Sequence, residues 1–166
     1  MVRRMFRLET EIDSVDKARQ ALLRSRLRQT NTEASAELRA LRGTAHEREA
    51  PVQLWVYTDE SAGGSGGAAA SDGNLVAGLD AHTWAGWLHV NLLWVDAGQR
   101  GTGIGSRLLA EAERIAREQR GCRHSRVWTW DFQAPKFYQK YGYEIVCTIP
   151  DYPPGITEYT LTKRIG

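Results

Sequence analysis

Cysteine is scarce in this sequence: Cys122 and Cys147 are the two thiols in 166 residues. Two cysteines this far apart, each in apolar or strand-like surroundings, build neither a disulfide scaffold nor a zinc site, and no metal is expected. A reducing cytoplasm is the natural setting. Long apolar runs are missing as well. No stretch approaches the ~18 uninterrupted apolar residues of a membrane-crossing helix. The basic start Met1-Val2-Arg3-Arg4-Met5-Phe6-Arg7 lacks the apolar segment of a secretory signal. Nor is there an excess of one charge. The net charge is +2, which selects no nucleic acid and no membrane surface as partner. Arg19, Arg24, Arg26 and Arg28 crowd one early segment, where the simpler reading is the solvated face of a helix. No internal repeat is visible.

What is present is the composition of an ordinary globular protein, 42% hydrophobic and 25% charged. The length suits one well-buried core and is short for two enzyme domains, so residues 1–166 are expected to form a single domain. The order of periodicities implies a mixed α/β sheet. Phe6 to Glu9 reads as a short first strand, a helix begins near Ser14 and runs through Leu22, Leu23 and Leu27, and a second spans Glu33 to Arg42. Val52, Leu54 and Val56 then alternate with Gln53, Trp55 and Tyr57 as a strand. The segment Ser61 to Gly73 is nearly all Gly, Ala and Ser and reads as a hairpin loop rather than a linker. Leu75 to Asp80 and Trp87 to Val95 complete an antiparallel meander, with His89 and Asn91 expected on the face of Trp87 and Leu93. From Ile104 the apolar spacing is helical up to Gly121. A strand at Val127 to Trp130, a short helix opened by Pro135, and a hairpin of Glu144 to Ile149 with Thr157 to Leu161 follow.

Between strand and helix lies Val95-Asp96-Ala97-Gly98-Gln99-Arg100-Gly101-Thr102-Gly103-Ile104-Gly105-Ser106. Alternating glycines let the backbone approach a ligand and turn its N–H groups toward one point, where the helix dipole adds its positive end. A pyrophosphate suits such a turn, with the Arg100 charge at its rim. The spacing is not that of a dinucleotide fold, since the position three beyond Gly103 is Ser106, and Gly105-Ser106-Arg107 lacks the lysine of a P-loop.

Arg100-Gly101-Thr102-Gly103-Ile104-Gly105 resembles the Gln/Arg-x-x-Gly-x-Gly/Ala signature of the GNAT superfamily, in the place that family puts it. Ala134-Pro135-Lys136-Phe137-Tyr138-Gln139-Lys140-Tyr141-Gly142-Tyr143 resembles its second motif. The resemblance is close from Leu75 onward. It implies an α/β fold with antiparallel strands 1 to 4, a central helix, fourth and fifth strands splayed around acetyl-CoA, and a C-terminal hairpin. It further implies that Leu93 and Val95 offer backbone groups to the pantetheine. The residues Arg100, Gly101, Thr102, Gly103, Ile104, Gly105 and Ser106 would cradle the pyrophosphate, with Ala134 and Phe137 lining the cofactor site. Asp131 stands where the family often has Asn, and an Asp accepts there but cannot donate.

The function implied is N-acetylation of a primary amine, small-molecule or protein, with acetyl-CoA as acyl donor. A noncatalytic acyl-CoA-binding sensor is the alternative. The partners expected are an amine-bearing substrate and a second copy of the chain in a homodimer. Attack on a thioester needs a neutral amine and a proton for the leaving thiolate. The leaving thiolate, whose thiol has a pKa near ~8.5, is served by Tyr138, since tyrosine stays protonated to ~10 and can donate. Tyr138 also reads as a packing aromatic. His89 is the candidate base acting through a water, or else a satisfied structural histidine. Asn91 cannot be a base. Trp84, Trp87, Trp94, Trp128 and Trp130 flank the cleft strands and either pack or favour a flat or cationic amine.

Overall fold

The structure, a computed structural model, describes residues 7–58 and 75–166. The glycine-rich segment 61–73 and Phe6 lie outside the described residues. The chain divides into two compact units, Met1–Arg42 and Gly43–Gly166.

In the first unit Asp16 caps helix α1 (Lys17–Ala34) by accepting the Arg19 N–H. Ser35 then ends α1 and starts α2 (Ala36–Ala40), its hydroxyl accepting the Leu38 N–H. No residue of α1 is buried, so its arginines are on a solvated helix. The strand expected over Phe6 to Glu9 is not formed by residues 7–9. Leu8 is 91% exposed, and Glu9 spends its carboxylate on exposed ion pairs with Arg7 and Arg19. Nothing there offers a strand a face to bury.

The second unit holds β1 (Ala50–Tyr57), β2 (Leu75–Trp84), β3 (Trp87–Val95), α3 (Ile104–Arg120), β4 (His124–Trp130), α4 (Pro135–Lys140), β5 (Glu144–Ile149) and β6 (Glu158–Arg164). They form one mixed sheet in the order β1-β2-β3-β4-β6-β5. β1, β2 and β3 are antiparallel neighbours, and β3 runs parallel to β4. The two-residue turn at Ala85 and Gly86 has both φ values positive, +51° and +78°. Such a turn matches the strand twist and sets Trp84 opposite Trp87 and His82 opposite His89.

The apolar stripe of α3, with Leu108, Leu109, Ala112 and Ala116 buried, belongs to the same core as Val52, Ala77, Leu79, Ala81, Leu88, Val90 and Val127. Leu109 is 1% exposed, and cutting it to alanine would cost about 2–5 kcal/mol. Gly121, at φ +65°, stops the helix, with the amides of Gly121 and Cys122 returning to the Arg117 and Ala116 carbonyls. Among the described residues no helix is long and apolar enough to cross a membrane.

The register of β2 and β3 slips once. Ala81 pairs with Val90 but Asp80 pairs with Leu92, so Asn91 is an extra residue in β3. A bulge bends the strand and shifts every later side chain to the other face. Leu93 and Val95 therefore pack against the core under α3, while Leu92 and Trp94 take the open face. This corrects the expected sharing of a face by His89 and Leu93: the bulge falls between them.

Candidate functional site

The pairing of β3 with β4 covers Trp87 to Val90 against His124 to Val127 and goes no further. Beyond it β4 continues to Trp130 against β6, and β3 continues to Val95 against β2. The two strands part at the bulge and leave a V between Asn91–Val95 and Trp128–Trp130.

One edge of the V carries peptide groups with no strand opposite. The Asp96 N–H donates to the Val76 carbonyl at 2.8 Å, on the β2 side. Peptide groups alternate along a strand, so those of Leu93 and Val95 point the other way, into the V. The Val95 carbonyl there accepts from the Arg100 Nε at 3.2 Å, which ties the arginine to the rim. On the opposite edge Gln133 Oε1 accepts the Trp130 N–H and the Thr129 hydroxyl.

At the mouth the chain turns through a short 3₁₀ segment, Ala97–Gln99, capped by Asp96. Gly101 and Gly103 follow at φ +80° and +87°, a left-handed conformation that side chains disfavour. Gly103 is the N-cap of α3 and caps no amide with a side chain, so the first amides of α3 remain free for an anion. Thr102 and Ser106 turn their hydroxyls back to the Gln99 and Gly103 carbonyls. Ile104 packs into the core. A Cβ on Gly105 would lie 3.4 Å from Val95 and 3.8 Å from Phe137, so this glycine lets the helix start approach both β3 and α4.

Helix α4 brings Ala134, its N-cap, and Phe137 and Tyr138 together. Tyr138 is 5% exposed, edge-on to both Phe137 and Tyr143. Its hydroxyl has no hydrogen-bond partner among the described residues, and burial pushes its pKa up to about 12. Asp131 accepts the Thr157 N–H through one carboxylate oxygen at 3.2 Å, and its own N–H donates to the Thr157 carbonyl. It clamps β4 to the start of the terminal hairpin, a task that needs only an acceptor side chain.

His89 is on the other face of the sheet. Its ring stacks on His82 with centroids 4.7 Å apart, and its Nε2 is buried with no hydrogen-bond partner. Burial pulls its pKa down, and the nearby His82 and Arg126 charges add to this. The imidazole is therefore neutral at pH 7 with a lone pair unused. Beside it Asp80 accepts from Gln53 and from Asn91, and these two hydrogen bonds hold its carboxyl below the usual range.

The same open face of β4 presents Trp128 and Trp130 edge to face, with Phe132 tilted against Trp130. Trp128 is 44% and Phe132 64% exposed, and the Trp130 indole N–H is buried without a partner. Glu158 of β6 pairs with Trp130 across the ladder. Trp87 instead stacks on His124 at the closed end of the V.

The structure thus gathers Leu93, Val95, Arg100 to Ser106, Ala134 and Phe137 around one V and its mouth, with Tyr138 on the core face and His89 on the open face. Asp80, His82 and Gln53 were not singled out from the sequence. The hairpin turn was the usable signal for His82, since a two-residue loop at Ala85 and Gly86 dictates that it meets His89. The same turn register, continued past Ala81 and Val90, sets Asp80 opposite Asn91; the bulge moves its ladder partner to Leu92 and the side-chain contact persists.

The acetyltransferase (GNAT) family model matches residues 27–143. A blasticidin-S acetyltransferase from Streptomyces morookaense is 51% identical over 140 residues, 84% of this chain and 96% of that protein. An acetyltransferase from Agrobacterium fabrum is 38% identical over 93 residues, 56% of this chain and 67% of that protein. The crystal structure of an acetyltransferase from Bacillus cereus aligns with a TM-score of 0.72 at 27% identity, covering 93% of this chain and 97% of its own.

Proposed function

The chain belongs to the GNAT acetyltransferase family and is an acetyl-CoA-dependent N-acetyltransferase, and from this premise we propose that its acceptor is a primary amine of a small antibiotic of the blasticidin S kind. The observation that carries the acceptor is the 51% identity to a blasticidin-S acetyltransferase over nearly the whole of that protein. The exposed Trp128 and Phe132 and the half-buried Trp130, with the Glu158 carboxylate on one open face, support it, since such a wall suits a flat or cationic acceptor. The family match crosses the boundary at Arg42 and Gly43, which supports one functional domain built from both units.

Acetyl-CoA, when bound, supplies the acetyl group as a thioester. The residues present fit it. In this reading the inward peptide groups of Leu93 and Val95 pair with the pantetheine arm, and the turn from Gly101 to Ser106, with the free first amides of α3 and Arg100, holds the pyrophosphate. Ala134 and Phe137 line the arm, and the second oxygen of Asp131 is left to accept from it. The Leu93 N–H serves the carbonyl oxygen as charge develops there.

Tyr138 acts from the core face and His89 from the open face, so the leaving sulfur and the incoming amine are served from opposite sides. With its pKa pushed up to about 12, Tyr138 keeps its proton at any working pH. Complete transfer to a thiolate of pKa ~8.5 would be uphill by on the order of 5 kcal/mol. Tyr138 therefore stabilises the departing sulfur by donating a hydrogen bond and passes a proton only if the buried site raises the thiol as well. His89, neutral and with Nε2 unpaired, takes a proton from the amine through a water.

The test is product analysis. The enzyme incubated with acetyl-CoA and blasticidin S should yield CoA and N-acetylated antibiotic in equal amounts. Antibiotic recovered unmodified while other amines are acetylated would overturn the proposed acceptor.

A further inference from the structure

We propose that Asn91 determines how the acceptor docks, its Oδ1 receiving an N–H of the incoming amine, and that Asp80 is the positioning residue that aims it. The inference rests on the acetyl-transfer reading above.

Asn91 is the bulge residue, the first of β3 beyond the last pair with β4, and it is exposed. Its side chain is fixed at two points. The Asp80 carboxylate accepts the Gln53 Nε2 at 2.8 Å with one oxygen and the Asn91 Nδ2 at 3.1 Å with the other. An ionised carboxylate only accepts, so the amide must turn its NH₂ toward Asp80. The second Nδ2 proton meets His82 Nδ1 at 3.2 Å, and that ring nitrogen must then carry the lone pair, with the ring proton on Nε2. Both amide protons are thereby spent inside the protein. Oδ1 has no partner among the described residues, and it belongs to the residue at which β3 leaves β4 and the V begins.

An acceptor there does what the reaction needs. An amine that gives one N–H to Oδ1 is oriented, and its lone pair remains free to attack. A neutral amide oxygen also favours the ammonium form less than a carboxylate at the same position would, because it adds no full negative charge. Asp80 supplies that charge one residue further back, where it aims the amide instead of trapping the ammonium.

The experiment is steady-state kinetics with acetyl-CoA and blasticidin S, repeated with the best acceptor of a primary-amine panel. Asn91→Ala should raise the acceptor KM about fivefold, the worth of one neutral hydrogen bond, and leave the acetyl-CoA KM unchanged. Asp80→Ala should act in the same direction, and the double variant should lose no more than Asn91→Ala alone, because both remove one interaction. Asp80→Asn should recover most of what Asp80→Ala loses, since one carbonyl still takes the Asn91 Nδ2 while the exposed Gln53 amide turns over. Asn91→Ser is the second variant should the alanine fail to fold. An unchanged acceptor KM in a folded Asn91 variant, or additive losses at positions 80 and 91, would overturn the proposal while the enzyme remains an acetyltransferase. A wild-type protein that acetylates no amine of the panel would overturn the functional reading and this inference with it.

Discussion

Val90 and Val127 are the last paired residues between β3 and β4, and the next residue of β3, Asn91, has no place in the backbone ladder with β2 either. A strand released from both neighbours at one point bends there. That bend opens the V, swings Leu93 and Val95 to the core side and leaves His89 on the open side, so one inserted residue assigns each site residue to its face.

Gly103 and Gly105 should respond differently to substitution. Nothing crowds a Cβ at Gly103, whose nearest neighbour is the Ser106 hydroxyl at 3.9 Å, but its φ is +87°. Gly103→Val should therefore cost about 1–2 kcal/mol of backbone strain and shrink the rise in Tm that acetyl-CoA gives. Gly105→Val meets Val95 and Phe137 and should lower Tm even without cofactor. Unaltered acetyl-CoA affinity in folded Gly103→Val would remove this loop from the cofactor site.

Tyr138→Phe removes one hydroxyl and keeps the ring that packs against Phe137 and Tyr143. Turnover should fall by on the order of 10²-fold with acetyl-CoA affinity retained. The defect should shrink with a thioester whose thiol has a lower pKa, which needs less help to leave. Single-turnover rates across such donors check this, and a wild-type rate where chemistry limits would exclude the role.

His89 titrates below the ordinary histidine value because it is buried and faces the His82 and Arg126 charges, with Glu49 and the Trp84 carbonyl opposing. His89→Gln should slow transfer to an alkylamine about 10–100-fold near pH 7. The deficit should close as pH rises toward ~10, where the amine is neutral unaided. Stability should follow the same shift. Above pH ~6.5 the ring is neutral folded or unfolded, whereas below it the unfolded chain takes up the proton first, so wild-type stability falls on acidification. Urea melts of wild type and His89→Gln from pH 5 to 8 should diverge only on the acid side.

Lys163 Nζ donates to Glu113 at 2.6 Å, with Glu113 largely buried, and the same ammonium lies 5.6 Å over the Tyr143 ring. Glu113→Ala leaves that cation without its partner and should cost about 1–3 kcal/mol, less than a fully buried pair because Lys163 is partly exposed. The urea midpoint measures it. Kinetic constants per folded molecule should be unchanged.

The fold was largely legible because it rests on local signals: the stripe of α3, the glycines at 103 and 121, the turn at Ala85 and Gly86. The glycine turn and the segment from Ala134 to Tyr143 were legible for the same reason, since each is one continuous stretch with its own spacing. The first strand was misread because Arg7 and Glu9 alternate with Leu8 and Phe6 in a strand-like pattern, while Glu9 is drawn to both Arg7 and Arg19. The bulge at Asn91 was not legible. It arises from how three strands fit together and not from any one of them, so the sequence alone leaves Leu93 on the face of His89.

The most direct test of the account is amide hydrogen exchange at Leu93 and Val95 with and without acetyl-CoA. Their N–H groups point into the V with no strand opposite, so the free protein should exchange them faster than Val90, which lies in the paired part of β3. Bound acetyl-CoA should slow both while leaving Leu109 and Ala112 of the α3 interior as they were. Exchange at Leu93 and Val95 that stays the same under saturating acetyl-CoA would contradict a cofactor seated between β3 and β4.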